Sequence, residues 1–214
     1  MEVKRLGTGH WGTNTYVLYG KTPGECVVID PAGDTPVTDF IAQNGLRCTH
    51  ILLTHTHFDH IMGVAALKAA TGALVCAHAI DAPGLHDPAV SLAKMAWCTI
   101  EPCEADVVLQ DGDTVEAAGF ALHVLHTPGH TAGGVCYVLE EPEKVIFSGD
   151  TLFYRSVGRS DLAYGDEKAL LSSVNDRLFT LEGDYAVYPG HGPATSLAAE
   201  RLNNPFSYQR GRTQ

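Results

Sequence analysis

The sequence predicts a mixed α/β fold in which helices pack outside β-sheets. Short apolar runs typical of strands dominate the middle of the chain, helical patterns are interspersed among them, and no linker or low-complexity run divides the 214 residues. This length suits one domain, which we expect to span residues 1–214. The hydrophobic share of 45% and the charged share of 18% are typical of a globular protein with an ordinary core.

The first part of the chain alternates strand-like and helix-like patterns. Apolar runs rich in β-branched residues indicate strands, whereas the shared stripe of Val37, Phe40 and Ile41 indicates a helix. Gly45 and Gly72 stand where helices are expected to end. The predicted elements are strands at 15–19 and 26–30, a helix at 35–44, a strand at 48–54, a helix at 61–70 and a strand at 74–77.

Residues 83–105 are the least regular part of the chain. They are polar in places, with a helix-like middle at 90–97, and we interpret them as an excursion over the core that could act as a lid. Regular patterns then resume and run to a tail at 205–214. The predicted elements are strands at 107–109, 120–125, 134–139 and 144–147, a helix at 167–179, a strand at 185–188 and a helix at 196–202.

The charge balance and the hydropathy pattern disfavour two classes of partner. The chain has 25 Asp and Glu against 14 Lys and Arg, a net charge of −11 at pH 7, so we expect no binding to nucleic acid. No apolar run approaches the roughly 18 residues that span a bilayer, and the first seven residues lack the apolar centre of a signal peptide. We therefore expect a cytoplasmic protein with no membrane partner.

The six cysteines agree with a cytoplasmic location. None of them forms a C-x-x-C pair. Four lie in apolar, strand-like runs typical of buried thiols: Cys26, Cys48, Cys76 and Cys136. Cys98 and Cys103 lie in a polar segment, and a disulfide between them is not expected in the cytosol.

The densest chemistry is the motif HTHFDH, which directly follows the apolar strand at 48–54. Residues two apart on an extended chain point the same way, so His55, His57 and Asp59 can converge on one point, and His60 falls where the next helix begins. The alternative is a polar, solvated loop. Imidazoles and a carboxylate at the end of a strand favour a site for zinc or another divalent ion.

Three further ligand-type residues stand in glycine-containing turns after predicted strands. They are His130 in TPGHT, Asp150 in SGDT and His191 in YPGHG. Four groups in the first motif exceed what one catalytic metal needs if it keeps an open position. These distant residues therefore make a second metal plausible.

HTHFDH, TPGHT, SGDT and YPGHG, in this order and at these spacings, resemble the metallo-β-lactamase superfamily. The stretch GRSDL at 158–162 and the tail motif at 204–206 resemble its glyoxalase II-like branch. The resemblance implies an αββα sandwich, in which two mixed β-sheets are flanked by helices and the site lies along one edge. Only 23 residues follow His191, so we expect a compact form without the C-terminal helical domain of full glyoxalase II enzymes.

The resemblance also implies the ligand sets of two divalent ions: His55, His57 and His130 for one, Asp59, His60 and His191 for the other, with Asp150 bridging them. A bridging carboxylate can hold two ions roughly 3.5–4 Å apart, close enough to share a hydroxide that serves as nucleophile. Asp59 and Asp150 are the predicted catalytic carboxylates. Zinc is the expected metal, with iron and manganese as alternatives.

The function implied in this way is dinuclear hydrolysis of a small-molecule thioester such as S-lactoylglutathione. One alternative is a persulfide dioxygenase with a single iron at His55, His130 and Asp150. Another is a different superfamily activity, such as a lactonase, a β-lactamase or a phosphodiesterase. Thiolate is a good leaving group, so thioester hydrolysis at this site needs no Ser-His-Asp arrangement.

Candidate substrate-binding residues are Tyr154, Arg155 and Arg159, since an arginine near Asp150 could pair with a substrate carboxylate. Arg159 belongs to the signature turn 159–161, and we favour the interpretation that this turn braces the metal loop over the alternative that it contacts substrate. We interpret Asp30 as fixing a loop rather than binding metal, and His126 as a candidate partner of a metal ligand. Structural or surface roles are expected for His10, His50, His78, His86 and His123.

Overall fold

The computed structural model describes residues 1–7, 10–33 and 36–208, and two six-stranded sheets make up most of it. The first sheet holds β1 to β6, at Glu2–Leu6, Thr15–Tyr19, Glu25–Ile29, Arg47–Leu52, Leu74–His78 and Val107–Leu109. The second holds β7 to β10 at Thr114–Ala117, Phe120–His126, Val135–Leu139 and Val145–Gly149, with β13 and β14 at Ala186–Pro189 and Thr195–Ser196. A small ribbon pairs β11 (Leu152–Phe153) with β12 (Ser156–Val157).

Both large sheets are mixed. In the first, with spatial order β1 to β6, β1, β2 and β3 pair antiparallel, and β3 to β6 run parallel. The second has the order β14-β13-β10-β9-β8-β7, in which only β10 and β13 are parallel neighbours. The carboxyl ends of β4, β8, β10 and β13 consequently lead into loops at one edge of the two sheets.

Helices cover the outer face of each sheet. The helices are α1 (Val37–Gln43), α2 (Phe58–Ile61), α3 (Val64–Thr71), α4 (Glu167–Ser172), which continues as a π-helical segment at Ser173–Leu178, and α5 (Leu197–Asn203). The side chain of Asp166 caps α4 by accepting a hydrogen bond from Ala169 N–H at 2.9 Å. No helix among the described residues is long and apolar enough to cross a membrane.

The core forms three layers, because alternate residues of a strand face opposite sides of its sheet. On β4, Leu52 faces the other sheet, where it joins Phe120 and Tyr137, whereas Ile51 faces α3 and packs with Val64. A third cluster lies beneath α5 and the π-helical segment and contains Ile146, Val174, Leu178 and Leu197. Two packed sheets between two helical layers confirm the predicted αββα sandwich.

The predicted helix at 90–97 is wrong. Residues 90–97 form a series of turns, in which Leu92 (φ 62°) and Trp97 (φ 58°) adopt the left-handed conformation that interrupts an α-helix. Leu92, Ala93 and Ile100 are nevertheless buried, which explains the apolar pattern. A short 3-10 helix at Ala82–Leu85 opens the excursion, whose role as a lid stays a prediction.

Other differences concern short or broken elements. Strands β1, β7, β11, β12 and β14 were not predicted, and the helix expected at 61–70 begins only at Val64, as α3, because the separate short helix α2 ends at Ile61. The first residue of the helix predicted at 35–44 and residues 209–214 of the predicted tail lie outside the described residues. All six cysteines are free, with Cys98 and Cys103 partly exposed.

Candidate metal centre

Seven predicted ligands meet at the edge of the sandwich where the strand ends converge. Four come from the segment after β4, namely His55, His57, Asp59 and His60, the last two lying on α2. The other three follow strands of the second sheet, namely His130 after β8, Asp150 after β10 and His191 after β13. Each sheet therefore contributes to the cluster.

The first triad consists of His55, His57 and His130, all buried, with one nitrogen of each within 4.8 Å of the others. His57 Nδ1 lies 2.9 Å from His130 Nε2. This packing of imidazole nitrogens is the arrangement that a shared cation requires of neutral histidine ligands.

The second triad consists of Asp59, His60 and His191, whose ligand atoms again lie within 4.8 Å of one another. Asp59 Oδ2 is 3.3 Å from His191 Nε2 and 3.7 Å from His60 Nε2. The hydroxyl of Thr13 donates to the same Oδ2 at 2.6 Å, which fixes the orientation of the carboxylate. Sequence reasoning missed Thr13, because a single threonine in a loop carries no motif.

Asp150 lies between the two triads. Its Oδ1 is 3.5 Å from His60 Nε2, and its Oδ2 is 3.5 Å from both His130 Nε2 and His191 Nε2. One carboxylate thus faces ligands of both triads, which is the position that a bridging ligand needs.

Hydrogen bonds behind the cluster fix which imidazole nitrogen faces inward. His60 Nδ1 donates to Asp30 Oδ2 at 3.0 Å, and His130 Nδ1 donates to the carbonyl of Arg159 at 2.7 Å. Because Thr54 Oγ1 donates to Asp30 Oδ2 at 2.6 Å, it accepts from His55 Nδ1 at 3.1 Å. Nε2 of all three histidines is left for the cluster, as in metal sites whose ligands are oriented by outer partners.

Asp30 holds the loop after β4, in agreement with its predicted role. In addition to the two bonds to Oδ2, its Oδ1 accepts the backbone N–H of Thr54 at 2.8 Å. Its oxygens also lie within 4.8 Å of ligand atoms of His55 and His60, a third group with metal-site spacing. Since three hydrogen bonds already occupy this carboxylate, it orients ligands rather than adding one.

The cluster fits a metal by an independent criterion. His55 Nε2 and Asp150 Oδ1 are buried and have no hydrogen-bond partner among the described residues. Buried polar atoms without partners are rare and costly, and a cation at this position would satisfy both. Imidazole nitrogen and carboxylate oxygen form a donor set suited to first-row divalent ions.

The ionisation of the cluster follows from burial and mutual charge. Burial and the neighbouring imidazoles hold the pKa of His55 well below its usual value and lower the pKa of His57 to about 3, so both are neutral at pH 7. Burial opposes the charging of His60, but Asp59, Asp150 and Asp30 outweigh it and raise the pKa of His60 to about 10. Without a metal, the carboxylates therefore keep a proton on His60.

Close approach of the backbone makes Gly190, in the motif YPGHG, indispensable to this geometry. A Cβ at Gly190 would overlap Asp150 Oδ1 and stand 2.7 Å from His60 Cε1. The N–H of Gly190 donates to the carbonyl of Gly149, and its own carbonyl accepts from Asn14 N–H, both at 2.7 Å. The backbone is thus held against the two ligands from both sides.

Two of the predicted substrate-binding residues, Tyr154 and Arg155, follow a phenylalanine that contacts the second triad. The ring of Phe153 meets that of His191 edge to face, with 6.2 Å between centroids, and places Tyr154 and Arg155 next along the chain. The Arg155 guanidinium lies 5.6 Å from the centroid of the Tyr154 ring. A role of this pair in substrate binding stays a prediction.

Arg159 braces the first triad through its backbone. Its carbonyl accepts from His130 Nδ1, as described, while its exposed guanidinium makes two 2.8 Å hydrogen bonds to Asp161. His126 acts on the same loop, since its Nε2 lies 2.9 Å from the carbonyl of Ala132 and its ring stacks on that of His78. Binding of substrate by Arg159 stays a prediction.

Sequence reasoning missed the pocket that adjoins the cluster and the carboxylate that supports it. A pocket of about 150 Å³ beside His57 is lined mainly by apolar residues, including Ile80 and Tyr164. The buried carboxylate of Asp81 accepts from Thr131 Oγ1 at 2.7 Å and thereby supports the His130 loop. No sequence motif marks either the pocket or Asp81, so neither could be predicted from the sequence.

Comparison with known proteins identifies similar sequences across nearly the whole chain. The family model for the metallo-β-lactamase superfamily matches residues 8–191. The probable metallo-hydrolase YqgX of Bacillus subtilis is 33% identical, over 96% of this chain and 97% of its own. The mitochondrial persulfide dioxygenase ETHE1 of Homo sapiens is 34% identical, over 90% of this chain and 70% of its own.

Solved structures agree with these similarities. The B3 metallo-β-lactamase BLEG-1 superimposes with a TM-score of 0.91 at 36% identity, covering 97% of this chain and 100% of its own. TTHA1623, solved in a di-iron-bound form, superimposes with a TM-score of 0.83 at 39% identity, covering 95% of this chain and 100% of its own.

Proposed function

Because the chain belongs to the metallo-β-lactamase superfamily, we propose that it is a dinuclear metal-dependent hydrolase of small thioesters, of the glyoxalase II-like type. The observation that carries this proposal is Asp150, whose oxygens lie 3.5 Å from nitrogen ligands of two complete triads. A site for one metal has no need of the second triad.

In this proposal His55, His57 and His130 hold one cation, Asp59, His60 and His191 hold the other, and Asp150 is shared. Two bound divalent cations would supply an acidified water and polarise the substrate carbonyl. The chain's own contribution is to present neutral nitrogens and charged oxygens in fixed orientations, through Asp30, Thr13 and the carbonyl of Arg159.

Thioester cleavage suits these residues because it makes few demands on proton donors. The thiolate that leaves is the base of a thiol with a pKa of about 8.5, so it can depart without protonation by an acidic side chain and take a proton from water afterwards. The depressed pKa values of His55 and His57 make both poor proton donors at pH 7. Asp59 likewise stays ionised, since His60, His191 and Thr13 outweigh its burial and lower its pKa. The cluster thus favours a substrate with a good leaving group.

Persulfide oxidation is the second candidate, supported by the 34% identity to human ETHE1. A single iron at His55, His130 and Asp150 would leave Asp59, His60 and His191 without a metal. The close packing of that second triad around the buried His60, with ligand atoms within 4.8 Å of one another, favours the dinuclear hydrolase. Hydrolysis of β-lactams is a further outcome to be tested, because BLEG-1 is a B3 metallo-β-lactamase.

Metal quantification of freshly purified protein, followed by activity assays, separates these functions. We expect two divalent ions per chain and hydrolysis within a thioester panel that includes S-lactoylglutathione. Activity should disappear on chelation and return when metal is added. One iron per chain, with oxygen uptake on glutathione persulfide and no thioester cleavage, would refute the proposal, as would full thioesterase activity in metal-free protein.

The same quantification identifies the metal. We propose zinc on the basis of the imidazole and carboxylate donors, and the di-iron-bound TTHA1623 makes iron the principal competitor. We also propose a cytoplasmic location, which agrees with the six free cysteines.

A further inference from the structure

The pocket beside His57 is small and its wall is largely apolar. Its volume of about 150 Å³ is below the roughly 300–1,000 Å³ of sites for drug-sized ligands, and it suits a short chain of a few carbons. The apolar part of the wall consists of Ile80, Pro83, Val90, Ala132 and the ring of Tyr164.

Three polar side chains of the pocket, Thr56, Thr131 and Asp81, already have partners within the protein. Thr56 Oγ1 donates to the carbonyl of Asp81 at 2.6 Å, and Thr131 Oγ1 donates to Asp81 Oδ2 at 2.7 Å. The other carboxylate oxygen of Asp81 accepts Gly133 N–H at 2.8 Å. Among the described residues that line the pocket there is no lysine or arginine, so a carboxylate entering it would meet the carboxylate of Asp81 with no cationic side chain in the wall to offset the repulsion.

Two large apolar side chains of the wall are exposed to solvent. Ile80 is 52% exposed and Tyr164 is 60% exposed, so folding gains little from either. Tyr164 also adopts a left-handed backbone conformation (φ 67°), which is uncommon for a bulky residue. An apolar ligand in the pocket would remove both side chains from water. Ligand binding would thus account for their position, which packing within the fold does not.

The opposite end of the cluster has a different character. Beside the second triad, Arg5 donates to the carbonyl of Gly192 at 3.3 Å, and Arg155 follows Phe153, whose ring contacts His191. The guanidinium of Arg5 at this end suits the larger, carboxylate-bearing part of a thioester such as that of glutathione, and Arg155, two residues after Phe153, is the second arginine considered for it.

We propose that the pocket beside His57 binds the acyl group of the substrate and selects short, uncharged, apolar acyl chains, with the thiol portion directed toward Arg5 and Arg155. This inference rests on the proposed thioester hydrolysis and adds its specificity. Hydroxylated or anionic acyl groups, including lactoyl, are poorer substrates because most of the wall is apolar and Thr56, Thr131 and Asp81 are already hydrogen-bonded within the protein.

A set of glutathione thioesters that differ only in the acyl group tests the proposal with the full-length, metal-loaded protein. We expect kcat/KM to rise about fourfold per methylene from acetyl to butanoyl. Succinyl, which is as long as butanoyl but ends in a carboxylate, should fall at least tenfold below butanoyl. Calorimetric binding of the non-hydrolysable ketones S-(2-oxopropyl)glutathione and S-(2-oxopentyl)glutathione should follow the same order as acetyl and butanoyl.

A positive charge placed in the pocket wall should shift the selectivity toward anionic acyl groups. Ile80→Lys should raise the succinyl-to-butanoyl ratio of kcat/KM at least tenfold, because the new ammonium can pair with the succinyl carboxylate. Leu202→Lys is the matched control, since Leu202 is 72% exposed on α5 and does not line the pocket, and it should leave the ratio unchanged. Tyr164→Ala should reduce the advantage of butanoyl over acetyl.

The outcomes separate this inference from the proposed function. If kcat/KM does not depend on the acyl chain, or if kcat/KM for the lactoyl thioester exceeds that for the butanoyl thioester, the acyl-pocket proposal is wrong. The proposed thioester hydrolysis would stand in either case. If metal-replete protein cleaves none of the thioesters, both are wrong.

Discussion

Replacing Gly190 with alanine tests whether the spacing between the triads is necessary for metal binding. The added Cβ would overlap Asp150 Oδ1, and it would stand 2.7 Å from His60 Cε1, about 0.7 Å inside the 3.4 Å of ordinary contact. Hydrogen bonds of Gly190 to Gly149 and Asn14 keep the backbone from retreating. Asp150 and His60 must therefore move, Asp150 by more than His60.

Displacement of this size has a large expected effect. Misplacing a reacting group by about 1 Å can cost about 100-fold in rate, so we expect kcat/KM to fall about 100-fold in the Gly190→Ala variant. Because one displaced residue belongs to the second triad and the other faces both, metal content should fall from two ions to one or fewer. Elemental analysis and thioester assays on the same preparation measure both effects.

Gly192→Ala serves as the control within the same motif. A Cβ at Gly192 meets nothing within 4 Å, but the φ of +76° there makes alanine strained, at a cost of about 1–3 kcal/mol. This variant should lose stability and keep its two metals, whereas Gly190→Ala has no such backbone conflict. A Gly190→Ala protein with two ions per chain and unchanged kcat/KM would refute the reasoning.

Three further predictions concern the ligands and their supports. Asp30→Asn, which presents an amide N–H₂ to Thr54 or His60 in place of an acceptor, should weaken metal binding about 10–100-fold in chelator competition, and unchanged affinity would contradict the orienting role. Asp150→Ala should abolish turnover and deplete at least one metal, and full activity at two metals per chain would argue against bridging. Metal binding at pH 7 should release protons, because a pKa of about 10 leaves His60 protonated without metal and the ligand must be neutral; calorimetry in buffers of different ionisation enthalpy would detect this, and no proton release would contradict it.

The sequence specified the metal cluster better than its surroundings, and the reason is physical. The short segment between β4 and α2 and the glycine-containing turns after β8 and β10 place His55, His57, His130 and Asp150 by local geometry, which short motifs encode. Ile80 and Tyr164 come together only through tertiary packing, so no local pattern marks their pocket.

The missed and mistaken elements have similar explanations. Strand β1 at Glu2–Leu6 carries three charged residues on an edge of the first sheet, so its hydropathy does not resemble a buried strand. The apolar spacing at 90–97 matched a helix, but burial of Leu92 and Ala93 is achieved by turns instead. Periodicity reports which residues are buried more reliably than it reports the backbone that buries them.

Each triad draws its ligands from segments that follow strands of both sheets, so a bound cation would link the two sheets. A cation held at a hundred times its dissociation constant would add about 2.7 kcal/mol to the free energy of unfolding. Displacement of one sheet relative to the other would separate the ligands of each metal. The metal content of the protein therefore reports whether the two sheets keep their relative position. Substitutions in the core between the two sheets could then cause loss of metal as readily as substitutions at the cluster itself.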